Sequence, residues 1–444
     1  MREETDVCII GGGLVGMLCA LEVADKGLSV YLVDKNFASS GDHAASVLFS
    51  YKSSPGTANL TEASRKIWRE ISERFGNPIG LHENGVSFVA LSQKQAESMG
   101  KDAAKADPEA FGFSADPEQI KKLLGVQNIK EEVRAVILEK NGGHIFAGLL
   151  HETLRQELIR KGVRVWGSDQ VAELVMEDGT IKGIKTAYDQ LAAENTVLCA
   201  GAWTGKLLAQ IGLKLPLRPA RSHRMELSVT GKMPPMPLLN RLAKGDIIIR
   251  PMRSGRVLVT YTGLMDQNQA TWSKHVDHGT AQLVLKTAGN ILPALAHAKP
   301  VNTQTNTLAV TPNGSPYIGR VAAVDGLFIA TGMNADTFAY GPAVAKSLAA
   351  LLNKEQPEID LEAFSPDRYI HVHQQEDSFA EQEEIIRQTF KDLDPEALEK
   401  KLAEAQQTHE KAKAEARRIV EGKKLKENKQ KVEYAKVSEE MKDE

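Results

Sequence analysis

Two short apolar runs open the chain, Thr5 to Ile10 and Leu28 to Val33, each suited to a strand buried on both faces. Between them Met17 to Lys26 carries helical spacing and stops at Gly27. Near the far end, Gly326 to Thr331 is another such strand. A loop from Met333 to Tyr340 is expected after it, then a helix opened by Gly341-Pro342 and running to Leu352. The middle of the chain alternates instead. Arg221 to Val229 reads as one strand, and Asp246 to Pro251 with Arg256 to Tyr261 read as a hairpin around Arg253-Ser254-Gly255. From about Glu376 charge rises while glycine and aromatic residues nearly vanish. Asp394-Pro395-Glu396 is a helix start, and Leu398, Leu402, Ala405, His409, Ala412, Ala416 and Ile419 then form a heptad stripe that Gly422 ends. A helix lying on the chain's own body and a partner-binding coil both fit that stripe.

The join between the first strand and first helix is Gly11-Gly12-Gly13-Leu14-Val15-Gly16. In this strand–turn–helix–strand setting each glycine has a reason. Gly11 permits a tight turn, Gly13 lets backbone approach a pyrophosphate, and Gly16 lets helix pack close to strand. Leu14 and Val15 bring unpaired N–H groups and the positive end of the helix dipole to the phosphates. Asp34, followed by Lys35, ends the second strand, where an acid accepts hydrogen bonds from ribose hydroxyls. A dinucleotide is expected, and at this point both NAD and FAD remain open.

The chain has 444 residues, 42% hydrophobic and 25% charged, with a formal net charge of −3. Two domains with accessory pieces are expected, and the charge balance argues against nucleic acid as a partner. Cys8, Cys19 and Cys199 lie among apolar neighbours without metal-ligand spacing, so no metal is expected. The apolar start follows acidic residues and is broken by glycines, unlike a signal sequence, and no stretch is long enough to span a membrane. A soluble, cytoplasmic protein is expected.

A second constellation narrows the cofactor. Thr311-Pro312-Asn313-Gly314 precedes Ala330-Thr331-Gly332-Met333-Asn334-Ala335-Asp336-Thr337-Phe338 and Gly341-Pro342-Ala343-Val344. With Gly142-Gly143-His144 and Val197-Leu198-Cys199-Ala200-Gly201-Ala202-Trp203, these segments resemble the D-amino-acid oxidase / glycine and sarcosine oxidase family of flavoproteins, over residues 5 to about 352. The resemblance implies FAD. It also implies an α/β fold in which a Rossmann-type FAD-binding domain (1–85, 143–218 and 308–370) interleaves with an α+β substrate domain on an antiparallel sheet (86–142 and 219–307). A charged helical tail (376–444) would follow, with homo- or hetero-oligomer formation through its helix as one role. By the same resemblance Gly142-Gly143-His144 begins a helix back to the FAD domain. Ala200, Gly201 and Trp203, together with Gly332, Met333, Asn334, Ala335, Asp336 and Thr337, would line the flavin. His43 and Ala44 resemble a segment in which histidine is joined to the flavin; hydrogen bonding and simple solvation are its other possible roles.

The activity implied is oxidation of the C–N bond of a small amine or amino acid, by hydride transfer to the flavin and hydrolysis of the imine. A flavin-dependent 2-hydroxy acid or polyol-phosphate dehydrogenase, and a flavin-binding subunit of a larger complex, are the alternatives. Relatives often clamp a carboxylate with an arginine just before the Thr-Pro motif; here that position is Leu308, followed by Ala309. Arg221, His223, Arg250 and Tyr261, with Arg224 beside them, are the substrate-positioning candidates, each arginine against the alternative of an ordinary ion pair.

Overall fold

The computed structural model describes residues 3–37, 46–77, 79–242, 245–252, 254–263, 273, 275–372, 383, 387, 394–407, 410 and 414. Glu3–Ile10 is the central strand of a first sheet, and its side chains from Val7 onward are buried. It pairs in parallel with Val30–Val33 on one side and Gln190–Leu198 on the other. Arg164–Trp166 and Leu327–Thr331 extend the sheet in parallel, and Tyr317–Arg320 closes one edge antiparallel. Helices Leu14–Asp25, Ala147–Arg160 and Thr337–Leu352 cover one face through a core that includes Leu18, Leu154 and Leu348. On the other face the antiparallel strands Glu173–Glu177 and Thr180–Lys185, with the short helix Thr204–Ala209, bury Leu174, Ile184 and Leu208. Helices on one side of parallel strands are the Rossmann-type arrangement expected.

The second sheet runs Lys299–Val310, Arg218–Ser228, Val257–Gly263, Gly245–Pro251, Leu238–Leu242, Val86–Ala90, Ala135–Glu139 and Phe111–Ser114. Its neighbours are antiparallel except for Leu238–Leu242 beside Val86–Ala90. One face packs on helices Pro117–Leu124 and His278–Gly289 through Ile120, Met225, Ile247, Val259 and Val284. The other face carries Phe88, Leu239 and Ile248 against Val47 and Phe49 of the connection leaving the first sheet. That second face therefore looks toward the cofactor-type half.

Two local expectations are corrected. Gly143 and His144 form a two-residue strand paired with Val47–Leu48, and the following helix starts only at Ala147. The helix expected from Gly341 begins earlier, at Thr337, with Pro342 inside it and no loop through Tyr340. Pro342 has no N–H, so the Phe338 carbonyl lacks its usual donor one turn on. The buried indole of Trp68 supplies one, Nε1 to that carbonyl at 2.8 Å. Replacing Trp68 by phenylalanine keeps an aromatic ring there but orphans the carbonyl. A loss of about 1–3 kcal/mol in unfolding free energy is expected in a denaturant titration. In the tail, residues 395–407 are helical, and Leu398, Leu402 and Ala405 pack with Ala172 and Ala187. The described part of the stripe lies on the chain's own body; His409, Ala412, Ala416 and Ile419 fall outside the described residues.

Candidate active site

The three parallel strands Glu3–Ile10, Gln190–Leu198 and Leu327–Thr331 end side by side, and the loops leaving them form one edge. Their ends are tied together. The Cys199 N–H donates to the Ile10 carbonyl at 2.8 Å, and the Thr331 hydroxyl donates to the Gly201 carbonyl at 2.9 Å. Ligands of open α/β sheets collect at this carboxyl edge.

The glycine loop separates into distinct demands. Gly11 has φ +108°, and a Cβ on it would lie 2.4 Å from the Cys199 carbonyl oxygen. A Cβ on Gly16 would lie 1.8 Å from the Gly11 oxygen, and one on Gly12 would meet the Phe37 ring at 2.5 Å. Gly13 is different. Its backbone is extended, at φ −69° and ψ 179°, which any residue adopts. A Cβ there would meet nothing within 4 Å. No feature of the fold requires glycine at that position, whereas a phosphate drawn close to the backbone would. The helix beginning at Leu14 has no side-chain cap and no acid in its first turn, so its positive end is uncompensated. Leu14 and Val15 bury their side chains and bring only backbone to the loop. Asp34 accepts from the Gly12 N–H and from the Asn36 N–H, both at 2.7 Å, bracing the loop; Lys35 is exposed beside it. These residues fit a dinucleotide pyrophosphate.

A second helix start faces the same edge. Gly332 has φ +73° and a Cβ on it would strike Thr311, while Met333 is buried. Asn334, at φ +53°, clamps two segments: its amide oxygen accepts from the Thr311 N–H at 3.1 Å and its nitrogen donates to the Gly314 carbonyl at 2.8 Å. Ala335 and Asp336 lead into the Thr337–Leu352 helix, with Ala200, Gly201 and Trp203 on the adjoining loop. His43 and Ala44 lie outside the described residues.

The substrate-positioning candidates part company. Residues directly opposed in an antiparallel pair share a face. His223 lies opposite Tyr261 and Thr305, and Tyr261 opposite Ile247, which packs on the two covering helices. Arg221, His223 and Tyr261 are thus on the face turned away from the first sheet. Arg221 donates to the Ser273 carbonyl at 3.0 Å and to the Thr305 hydroxyl at 2.8 Å; burial, with Arg221 beside it, pulls the His223 pKa down. Arg250 is on the facing side with Ile248, yet it is only 3% exposed, with its guanidinium over the Phe146 ring. Burial and the nearby Arg224 pull its pKa down to about 10. It is enclosed, and near it the His144 imidazole is held neutral, its pKa pushed to about 3 by burial, Arg250 and His82.

What the facing side does present was not singled out from the sequence as a substrate group. Arg241 stacks its guanidinium on Phe49, 4.8 Å from the ring centre, between Asp246 at 3.7 Å and Asp336 at 3.5 Å. The Tyr340 hydroxyl lies 3.4 Å from the Asp336 carboxylate. Burial raises the pKa of Asp336 and of Asp246, against the opposing pull of Arg241 in each. Arg241 sits in a strand that the alternation did not reveal, and Asp246 was read only as the start of a hairpin. Among the described residues no group of three His, Cys, Asp or Glu is arranged for a metal ion, and no helix is long and apolar enough to cross a membrane.

Comparison with known proteins agrees with this geometry. The family model described as "DAO: FAD dependent oxidoreductase" matches residues 6–351. The chain is 27% identical over 382 residues to glycine oxidase of Pseudomonas aeruginosa, covering 81% of this chain and 98% of that one. In fold it is similar to glycine oxidase from Geobacillus kaustophilus (TM-score 0.74, 21% identity, 83% of this chain and 100% of that one). L-proline dehydrogenase from P. horikoshii is similar too (TM-score 0.73, 21% identity, 83% and 98%). The chain belongs to the FAD-dependent oxidoreductase family that the matching model describes.

Proposed function

We propose that this chain oxidises the C–N bond of a small amine or amino acid with FAD as the electron acceptor. The observation that carries the reading is Gly13, a glycine that neither packing nor backbone conformation requires, at an uncapped helix start. The relatives, named as a glycine oxidase and an L-proline dehydrogenase, point to C–N bonds as the target.

When bound, FAD supplies acceptance of a hydride from the carbon beside the substrate nitrogen, and the imine released hydrolyses in water. The chain's own residues bind and orient. Gly13 to Gly16 hold the pyrophosphate through backbone N–H groups, and Asp34 holds a ribose hydroxyl. The loop Gly332 to Asp336, fixed by the Asn334 clamp, holds the far end of the cofactor, with Ala200, Gly201 and Trp203 beside it. Residues 1–85, 143–218 and 308–370 form the cofactor half. Residues 86–142 and 219–307 cover it and limit the water and substrate that reach the reacting carbon. Three unpaired thiols, Cys8, Cys19 and Cys199, suit a reducing compartment such as the cytoplasm.

The test is anaerobic mixing of the full-length, FAD-loaded protein with panels of small amines, amino acids, 2-hydroxy acids and polyol phosphates. Bleaching of the flavin by amines or amino acids is expected. Bleaching by the hydroxy compounds alone overturns the reading.

A further inference from the structure

We infer that the Asp246–Arg241–Asp336 array makes the substrate pocket select a cation. The molecule it takes is an amine bound through its positive charge and carrying no carboxylate next to the nitrogen. The inference rests on the reading above that this face borders the substrate.

Two carboxylates share one guanidinium, which leaves one negative charge in excess when both are ionised. The contacts of Arg241 are long, at 3.7 and 3.5 Å, so neither acid is locked in a full hydrogen-bonded pair with it. The Asp336 side chain does not cap the helix it precedes. All three side chains keep open surface, 35% for Arg241, 27% for Asp246 and 16% for Asp336. The two rows that continue from the array are neutral: Thr262, Ser222 and Asn306 extend the row from Asp246, and Ala220 and Leu308 form the row beyond.

Two of the other cations on this face are taken up, and a third, Arg218, lies at the far end of its strand. Arg224 is held by Glu226 at 2.8 Å, and Arg250 is enclosed. The Thr260 hydroxyl, opposite Arg224 on this face and 3% exposed, has no hydrogen-bond partner among the described residues. A buried hydroxyl oxygen accepts readily from an ammonium. An anion entering here meets two carboxylates around one shared guanidinium; an ammonium meets two acceptors, one row along the sheet from the Thr260 hydroxyl.

Two inert probes of one shape and opposite charge test this. tert-Butylammonium has no hydrogen on the carbon next to nitrogen and cannot be oxidised; pivalate is its carboxylate counterpart. Each is titrated into full-length FAD-loaded protein, and the perturbation of the flavin absorbance gives its affinity. The cation is expected to bind at least about tenfold more tightly, the scale of one charge acting over several ångströms at an effective dielectric of about 20. In Asp246→Asn the preference shrinks or reverses, while the flavin-to-protein ratio stays as in the parent. Equal affinities in the parent, or tight pivalate binding lost in Arg241→Met, overturn the inference. Neither outcome depends on turnover, so a failure here is distinct from the absence of bleaching by any amine.

Discussion

Gly13→Val is expected to abolish retention of FAD while leaving the apo protein nearly as stable as its parent. The extended backbone at Gly13 accepts valine without strain, and the open space beside it accommodates the side chain. Unfolding free energy of the apo form should fall by no more than about 1 kcal/mol, the cost of valine as the poorer N-cap. The cofactor affinity should fall on the order of a hundredfold or more, about 2.7 kcal/mol, because the isopropyl group occupies the volume the phosphates need. Gly16→Ala is the contrasting variant. Its methyl group lies 1.8 Å from the Gly11 oxygen, so the loop or the helix must shift. It should lose about 1–3 kcal/mol of apo stability. Denaturant midpoints of the apo proteins, with flavin-to-protein ratios after reconstitution, separate the two. Near-parental FAD affinity in Gly13→Val would show that the pyrophosphate lies elsewhere.

That contrast marks how much was legible beforehand. The glycine loop could be read because its logic is local: strand, turn, helix and acid follow within one stretch of chain. Long-range parity could not. In Val257 to Thr260 consecutive residues are all buried, because the second sheet is covered on both faces, and alternation no longer tells one face from the other. Arg221, His223 and Tyr261 therefore looked as suitable as any residues of the other parity, although the pairing register sets them against the covering helices. Pro342 misled for a different reason. Proline normally opens a helix, and here an indole arriving from residue 68 supplies the donor that Pro342 cannot. Asn334 reads from the sequence as part of the cofactor loop, and its side chain is taken up in holding that loop to Gly314 and Thr311.

The largest loss of stability is expected from Arg65→Met. Arg65 and Glu139 form an ion pair with side chains 6% and 2% exposed, and Glu139 also accepts from the N–H of Ser50 at 2.9 Å, the Ser50 hydroxyl at 2.9 Å and the N–H of Tyr51 at 2.9 Å. Three separate pieces of chain meet there: the Pro55–Phe75 helix, the connection leaving the first sheet, and the Ala135–Glu139 strand of the second. Removing the guanidinium leaves a buried carboxylate without its counter-charge, which costs about 3–5 kcal/mol. Adding Glu139→Gln to that variant removes the stranded charge while keeping a carbonyl to accept from Ser50 and Tyr51. The double variant should therefore be more stable than Arg65→Met alone, a coupling that a double-mutant cycle reads directly. The effect reaches the active site through Phe49, next to Ser50, on whose ring Arg241 rests. Loss of the pair should loosen that wall and weaken the preference for tert-butylammonium over pivalate. If Arg65→Met unfolds at the parental denaturant midpoint, the pair does not join the two sheets.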